Sequence, residues 1–445
     1  MLVSVAVCVI FASSMRRRVW VGLVGALVGF NLLVGYQVLV HSAGATTEDP
    51  GYGALSVFTR ALQLVRQDYV DEKRVDYRNL TYSALKGMLA SLDPHSQFME
   101  PADYRDMRDE TRSEFGGLGI VVSTKDGIIS IVTPMEDSPS FRAGILPGDQ
   151  ILRINGLVTD RMKVQDALQL LRGDPGQKVT LTIYRPSTKE TKEYTLQREI
   201  IKVSSVKDGR LLDPSVTAKL KIGYARIVQF NEPTAQELDH KLDELEHQGM
   251  QALILDLRFN PGGLLNSAVD VCGLFLPPHS MVVYTEGRDA AQQHEYYTSR
   301  TAKARTLPLV LLVNGESASA AEIVAGALKD LNRAALVGET TFGKGSVQSV
   351  IQLPDGSALR LTTARYFTPS RQVIHEKGVT PTISSTLNQD EEKGLLLRHR
   401  EGALTPSEQD LAKNQPDDQL NRAVDAIKSV LTYSANQPAA SGTER

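Results

Sequence analysis

The stretch Leu307 to Asn332, "LPLVLLVNGESASAAEIVAGALKDLN", changes character at its midpoint. "LPLVLLVN" is a short apolar run with no polar face, the pattern of a strand buried on both sides. Beyond it, Ile323, Val324, Ala327, Leu328 and Leu331 gather on one side of a helix. Ser319 and Glu322 fit the S-x-x-E capping box that marks a helix start. The same texture occurs upstream, where helical "AQELDHKLDELEHQGM" (Ala235 to Met250) precedes the apolar "ALILDLR" (Ala252 to Arg258). Strands alternating with helices over residues 220–385 imply an α/β fold with a largely parallel sheet. A hairpin-like run, "VQSVIQLPDGSALRLTTARYF", turns at Asp355-Gly356.

Two strand-to-helix turns carry the chemistry-bearing residues. One is "RFNPGG" (Arg258 to Gly263) and the other contains Ser319. Parallel strands bring both to the carboxyl edge of the sheet, where open α/β folds place their sites. Gly262 and Gly263 allow close backbone approach, and the Ala320 N–H lies at the positive end of a helix dipole. Together they can form an oxyanion hole. A capping role accounts for the helix start at Ser319, but not for the crowding of small residues around it.

A serine nucleophile needs a base. None of the eight histidines has a telling context, and "GESAS" lacks the last glycine of a G-x-S-x-G elbow. Lys344, in "TTFGKGSVQS", is the other option. A free lysine ionises near ~10.4 and burial can depress that towards ~7–8, within the range of a working base. The neighbouring residues alone favour an exposed turn lysine.

The remaining chain sets the context. The 445 residues allow two or three domains, with 42% hydrophobic and 23% charged residues, an ordinary globular balance. A formal net charge of −3 without a long basic run gives no case for nucleic acid. Cys8 and Cys272 have no metal-like spacing, and Cys272 is expected in the core. Arg16-Arg17-Arg18 precedes Val19 to Val40, an uncharged run long enough to span a bilayer. The charge pattern puts the N-terminus in the cytoplasm and the rest outside it, in a periplasm or cell envelope. A retained anchor is favoured, although Ala43-Gly44-Ala45 also fits a cleaved signal peptide. Met15, followed by three arginines, is a more natural start than Met1.

Residues 52–92 read as helices, and "SLDPHSQFMEP" (Ser91 to Pro101) breaks them, with Asp93 and His95 expected to stabilise a turn. From Phe115 to about Arg198 the chain is β-rich, with one amphipathic helix, "VQDALQLLRG". "GGLGIVV" followed by "SPSFRAGILPGDQILRING" resembles a PDZ domain. On that resemblance Gly117, Leu118, Gly119 and Ile120 form the loop that cradles a peptide's terminal carboxylate while the peptide adds a strand to the sheet. Beyond Leu387 the chain is polar, with one expected helix ("DQLNRAVDAIKSVL") and a disordered end.

"NGESASAAE", "ALILDLRFNPGG", "GMLASLDPHS" and "VGETTFGKGSVQ", together with the PDZ-like segment, resemble the C-terminal processing peptidases, or tail-specific proteases. The resemblance covers roughly residues 52–385 and implies a crotonase-like α/β core with an inserted PDZ domain and flanking helical regions. It implies Ser319 as nucleophile, Lys344, 25 residues on, as general base, and Gln348 as the residue orienting the lysine. Ser317 takes a supporting position. Ala320 and one of Gly262 and Gly263 complete the oxyanion hole, and no metal or cofactor is involved. Phe259 stands where many members have a polar residue. The expected organisation is a signal or anchor region (1–45), a helical region (50–105), the PDZ domain (106–200), the peptidase core (201–386) and a tail (387–445). The expected partners are protein or peptide substrates held by their C-termini, the membrane through the N-terminal segment, and a homo-oligomer is compatible with the sequence. The rival readings are an inactive, membrane-anchored PDZ adaptor and a crotonase-type enzyme acting on acyl-CoA.

Overall fold

A computed structural model of the chain describes residues 50–125, 127–400 and 404–436. Val19 to Val40 and the expected cleavage site lie outside the described residues, and among those described no helix is long and apolar enough to cross a membrane. The chain divides into two compact units at Ala84/Leu85. The first holds α1 (Pro50–Asp68) and most of α2 (Tyr77–Ala90), the helices expected from the apolar spacing. Arg66 joins them, donating to the Val75 carbonyl at 3.1 Å and stacking over the Tyr77 ring at 3.7 Å.

In the second unit the end of α2 leads into the "SLDPHS" turn. Asp93 accepts from the N–H groups of His95 (2.7 Å) and Ser96 (2.8 Å) and from the Ser96 hydroxyl (2.7 Å), the turn role expected of it. The turn feeds β1 (Gln97–Met99) and α3 (Pro101–Thr111). The region expected to be helical thus contains a strand, and that strand joins a sheet of the larger core.

The PDZ-like segment follows. β2 (Glu114–Gly117) precedes β3 (Ile120–Lys125), β4 (Ile128–Pro134), β5 (Gln150–Ile154), α4 (Val164–Leu171), β6 (Lys178–Arg185) and β7 (Glu190–Gln197). The sheet runs β3-β4-β5-β6-β7, all antiparallel, so β3 is an edge strand. β8 (Glu199–Lys202) returns to pair with β2. Alternating residues of these strands, among them Ile129, Ile131, Val179, Leu181 and Ile183, fill a separate core with Ala167 and Leu171 of α4.

The larger core is built on β9 (Val206–Leu211), β10 (Ile222–Ile227), α5 (Thr234–His247), β11 (Ala252–Asp256), α6 (Leu265–Gly273), β12 (Met281–Gly287), β13 (His294–Tyr297), β14 (Leu309–Val313), α7 (Ala320–Asp330), β15 (Ala335–Gly338), β16 (Ser346–Gln352), β17 (Ala358–Phe367) and β18 (Ile383–Ser384). The central sheet runs β9-β10-β11-β14-β15-β18, parallel except at β9. A second, antiparallel sheet runs β1-β17-β12-β13, with β16 also paired to β17 through the expected hairpin.

Both faces of the central sheet are covered, as a parallel sheet requires. Leu253, Leu255, Leu309, Leu311 and Val313 point towards α5, α6 and α7. Their alternates Ala252, Ile254, Val310 and Leu312 pack instead on Ala423, Val424 and Ile427. Those three belong to α10 (Asp418–Asn436), which follows α8 (Gln389–His399) and α9 (Pro406–Asn414). The expected polar tail with one helix is therefore three helices, and the last is a structural layer. Its 3.6-residue apolar stripe supplies the cover that the second face of the sheet needs.

Candidate active site

β11 and β14 run parallel and end side by side, with Asp256 opposite Leu312. The two turns that follow interlock. Asn260 is buried and donates to the Ile227 carbonyl (2.7 Å), while its carbonyl accepts from Ala318 N–H (2.9 Å). Ser317 is also fully buried; its hydroxyl donates to the Leu257 carbonyl (2.8 Å) and accepts from Asn314 N–H (3.0 Å). The supporting position of Ser317 is thus a brace between turns. Phe259 is half-buried, its N–H held by the Asn314 side chain at 2.9 Å.

Ser319 sits at the end of the second turn with φ 56° and ψ −116°, a conformation that side chains other than glycine rarely adopt. Its N–H donates to Glu322 Oε2 at 2.8 Å, so the S-x-x-E pattern does fix the helix start. The serine nevertheless faces a cleft of about 290 Å³, lined also by Ala320, Gly263, Lys344, Gln348 and Tyr366. Capping and presentation coexist here.

Gly262 and Gly263 have separate duties. Gly262 is buried, its N–H already donates to Asn260 Oδ1 (2.8 Å), and a Cβ there would lie 2.6 Å from Ser319 Cβ. Gly263 is exposed to the cleft, and a Cβ on it would meet the Phe230 carbonyl oxygen at 2.1 Å. Both have positive φ, 101° and 141°, so glycine is needed at each.

Lys344 arrives from the loop before β16. Glu322, fully buried, holds that loop: Oε1 accepts from Thr341 Oγ1 (2.6 Å) and Gly343 N–H (2.7 Å), and Oε2 from Lys344 N–H (2.9 Å). Burial raises the Glu322 carboxyl above its usual range, and these donors oppose the rise. Tyr366, almost fully buried, donates its hydroxyl to the Lys344 carbonyl and also meets the Ser319 side chain.

Burial holds the Lys344 amine below its usual range, the nearby charge of Arg360 adds to this, and Glu322 opposes it. Arg360 lines the same cleft and is anchored through the His95 carbonyl of the "SLDPHS" turn (3.2 Å) and Gln97 Oε1 of β1 (3.1 Å). His95 lies close enough to Lys344 for its own ionisation to be lowered, by burial first and by that charge second.

The expected lysine–glutamine contact is not formed in this structure. Gln348 lines the cleft, but its amide donates to Ser346 Oγ at 2.9 Å. Among the described residues no hydrogen bond joins Ser319 Oγ to Lys344 Nζ. Catalytic hydrogen bonds are often slack until substrate tightens them.

In the PDZ-like segment, Gly117 ends β2 and Ile120 opens β3. The Leu118 carbonyl accepts from Ser140 N–H (3.1 Å), and the Gly119 carbonyl from Ser140 Oγ (2.8 Å) and Met135 N–H (2.8 Å). In a trans peptide the N–H opposes the carbonyl. The N–H groups of Gly119 and Ile120 therefore point the other way, away from these acceptors. Gly119 has φ 69°, and a Cβ there would fall 2.2 Å from Ser138 Cβ.

Sequence reasoning missed Arg360, Tyr366 and the buried pair Asp256–Arg258. The signal for the pair was present: two charges at the end of an otherwise apolar strand.

Residues 221–385 match Peptidase family S41 and residues 130–185 match a PDZ domain. A carboxy-terminal-processing protease of Bartonella bacilliformis is 35% identical over 443 residues, covering 95% of this chain and 99% of the relative. A carboxyl-terminal-processing protease of Synechocystis is 38% identical, covering 82% and 87%. The carboxy-terminal processing protease CtpA of Bacillus subtilis is 35% identical, covering 80% and 73%. The chain is a serine-type hydrolase and belongs to the carboxy-terminal processing proteases of peptidase family S41.

Proposed function

We propose that the protein is an endopeptidase that cleaves protein substrates near their C-termini, with Ser319 as nucleophile and Lys344 as general base. The observation that carries this reading is Glu322 Oε2, which accepts the N–H groups of both Ser319 and Lys344 and so fixes the two on one cleft. The neutral Lys344 amine takes the Ser319 proton as Oγ attacks the scissile carbonyl carbon. The resulting oxyanion is met by the N–H groups of Ala320 and Gly263, the latter favoured over Gly262 because Gly262 N–H is already bonded. Lys344 then returns the proton to the leaving amine, and water, deprotonated by the same amine, hydrolyses the acyl-enzyme. Gln348 faces this cleft, where its amide can steady the lysine.

The PDZ domain supplies recognition in this reading. The open edge of β3 accepts the substrate tail as an added strand, and the N–H groups of Gly119 and Ile120 receive its carboxylate. The arginine-flanked apolar run Val19 to Val40 supports an extracytoplasmic catalytic region held at a membrane. Protease added to spheroplasts should then degrade it, and protection would reverse that topology.

The test of the chemistry is labelling with a serine-directed phosphonylating probe, followed by peptide mapping. The adduct should lie on Ser319 and form far more slowly in Lys344→Ala. An adduct on another serine would overturn the assignment.

A further inference from the structure

Behind the "RFNPGG" turn lies a largely buried charged network. Arg258 and Asp256 are both fully buried. Asp256 accepts from Arg258 N–H (2.9 Å), Nε (3.0 Å) and Nη2 (2.7 Å), and from the Tyr224 hydroxyl (2.7 Å). The guanidinium has a second side, and the C-terminal segment occupies it. Asp417 grips it with both oxygens, Oδ1 on Nη1 at 2.9 Å and Oδ2 on Nη2 at 3.0 Å. Gln419 adds its Oε1 to Nη1 at 3.1 Å, and its own amide donates to the Ser385 carbonyl at 2.7 Å.

Arg258 is thereby saturated by partners roughly 160 residues away. One fully buried carboxylate, Asp256, and one partly buried, Asp417, face one buried cation, and both are held by it in a fixed plane. Five residues beyond Arg258 is Gly263, with Asn260 between them bracing Ala318 and, through it, the Ser319 turn. A shift of the guanidinium displaces the start of this turn, and donors in an oxyanion hole act only when placed to within a fraction of an ångström.

We propose that Asp417 and Gln419 are positioning residues for catalysis: the C-terminal segment acts through Arg258 to hold the Gly263 N–H where the oxyanion develops. The segment past Leu387 is then a working part of the active site. The proposal rests on the assignment of Ser319 and Gly263 given above.

Two explanations compete for any effect of these residues. Asp417 caps α10, accepting from Leu420 N–H at 3.0 Å, so its loss could simply loosen the helix. Val424 separates the two. It is buried under the sheet in the same helix, in the apolar cluster, and its side chain offers no polar atom to the charged network. Val424→Ala should lower the melting temperature and leave kcat unchanged well below it. Asp417→Asn keeps size and shape but weakens one side of the clamp.

The experiment measures kcat, KM and melting temperature on the full chain for the wild type, Asp417→Asn, Gln419→Met and Val424→Ala, with one peptide substrate. Asp417→Asn is expected to lower kcat by about tenfold or more, a part of the ~10²–10³ that a lost oxyanion donor costs. KM should stay within about twofold, and Gln419→Met should show a smaller fall of the same kind. Installing Asp417→Asn in an Arg258→Met background should add little, because the residue through which it acts is gone. Wild-type kcat in Asp417→Asn, or a fall matched by Val424→Ala at equal loss of melting temperature, would overturn the proposal. If Asp417→Asn fails to fold, unchanged kcat in Gln419→Met overturns it alone. Activity that survives in a Ser319→Ala variant would instead refute the underlying active-site assignment.

Discussion

The N–H of Lys344 donates to Glu322 Oε2 at 2.9 Å, and the same oxygen accepts the N–H of Ser319 at 2.8 Å. One buried carboxylate thus ties a helix start to a loop 22 residues on. The residue that caps the helix also ties Ser319 to Lys344, the nucleophile and base of the proposed mechanism.

Glu322→Gln should therefore be worse than its small change suggests. The amide nitrogen must face donors on one side, leaving buried N–H groups or a hydroxyl unpaired at about 1–3 kcal/mol each. Activity is expected to fall on the order of 10²-fold as Lys344 drifts from its place. Thermal melting and kcat measured together check this, and an active, equally stable variant would show that the carboxylate is not the tie.

The direction of the Lys344 shift fixes the pH profile. Burial, aided by Arg360, favours the neutral amine. Activity should rise with pH as this amine loses its proton and level off below the usual lysine range. Arg360→Gln removes one of the two lowering causes, so its profile should move to higher pH. An unmoved profile would remove Arg360 from the account.

His399 makes stability, as distinct from activity, depend on pH. Burial first, and the charge of Arg226 second, push its imidazole down to about 4, against the pull of Asp256 and Asp208. Between about pH 6.5 and 4 the unfolded chain binds a proton that the folded chain refuses, so stability falls as pH drops through that window. His399→Leu should flatten this loss, by at most about 3 kcal/mol. Urea midpoints at pH 7 and 4.5 measure it, and an unchanged slope would contradict the burial argument.

Recognition of tails by the PDZ domain is read from one peptide in three versions: a free apolar terminus, an amidated terminus, and one ending in two aspartates. The N–H groups of Gly119 and Ile120 suit a carboxylate. Losing a charge-assisted bond of ~1.5–3 kcal/mol weakens binding by an order of magnitude or more. Equal cleavage of all three would mean that this domain does not read C-termini.

How much of this was legible beforehand varies with the range of the interaction. The strand-to-helix turns at Arg258 and Ser319 were readable because periodicity is local, and parallel pairing then brought them together. The β17 hairpin was readable at Asp355-Gly356 for the same reason. The clamp of Asp417 on Arg258 was not, because no periodicity links positions so far apart. The apolar faces of "ALILD" and "LVLLV" did carry a signal, since a sheet buried on both sides needs two layers of helices. Counting those layers would have placed α10, expected as a helix of the polar tail, in the core. Glu322 was legible as a cap, but its second oxygen meets Thr341 and Gly343 only in the fold.

The central claim is that Ser319 and Lys344 work as one unit, and a double-mutant cycle tests it most directly. Hydrolysis of a single peptide by Ser319→Ala, Lys344→Ala and the double variant should show nearly all activity lost in each single variant, with the double scarcely worse. All three should keep their fold by circular dichroism. A Lys344→Ala enzyme retaining more than about a tenth of the wild-type rate would contradict the account, because a required base cannot be removed so cheaply.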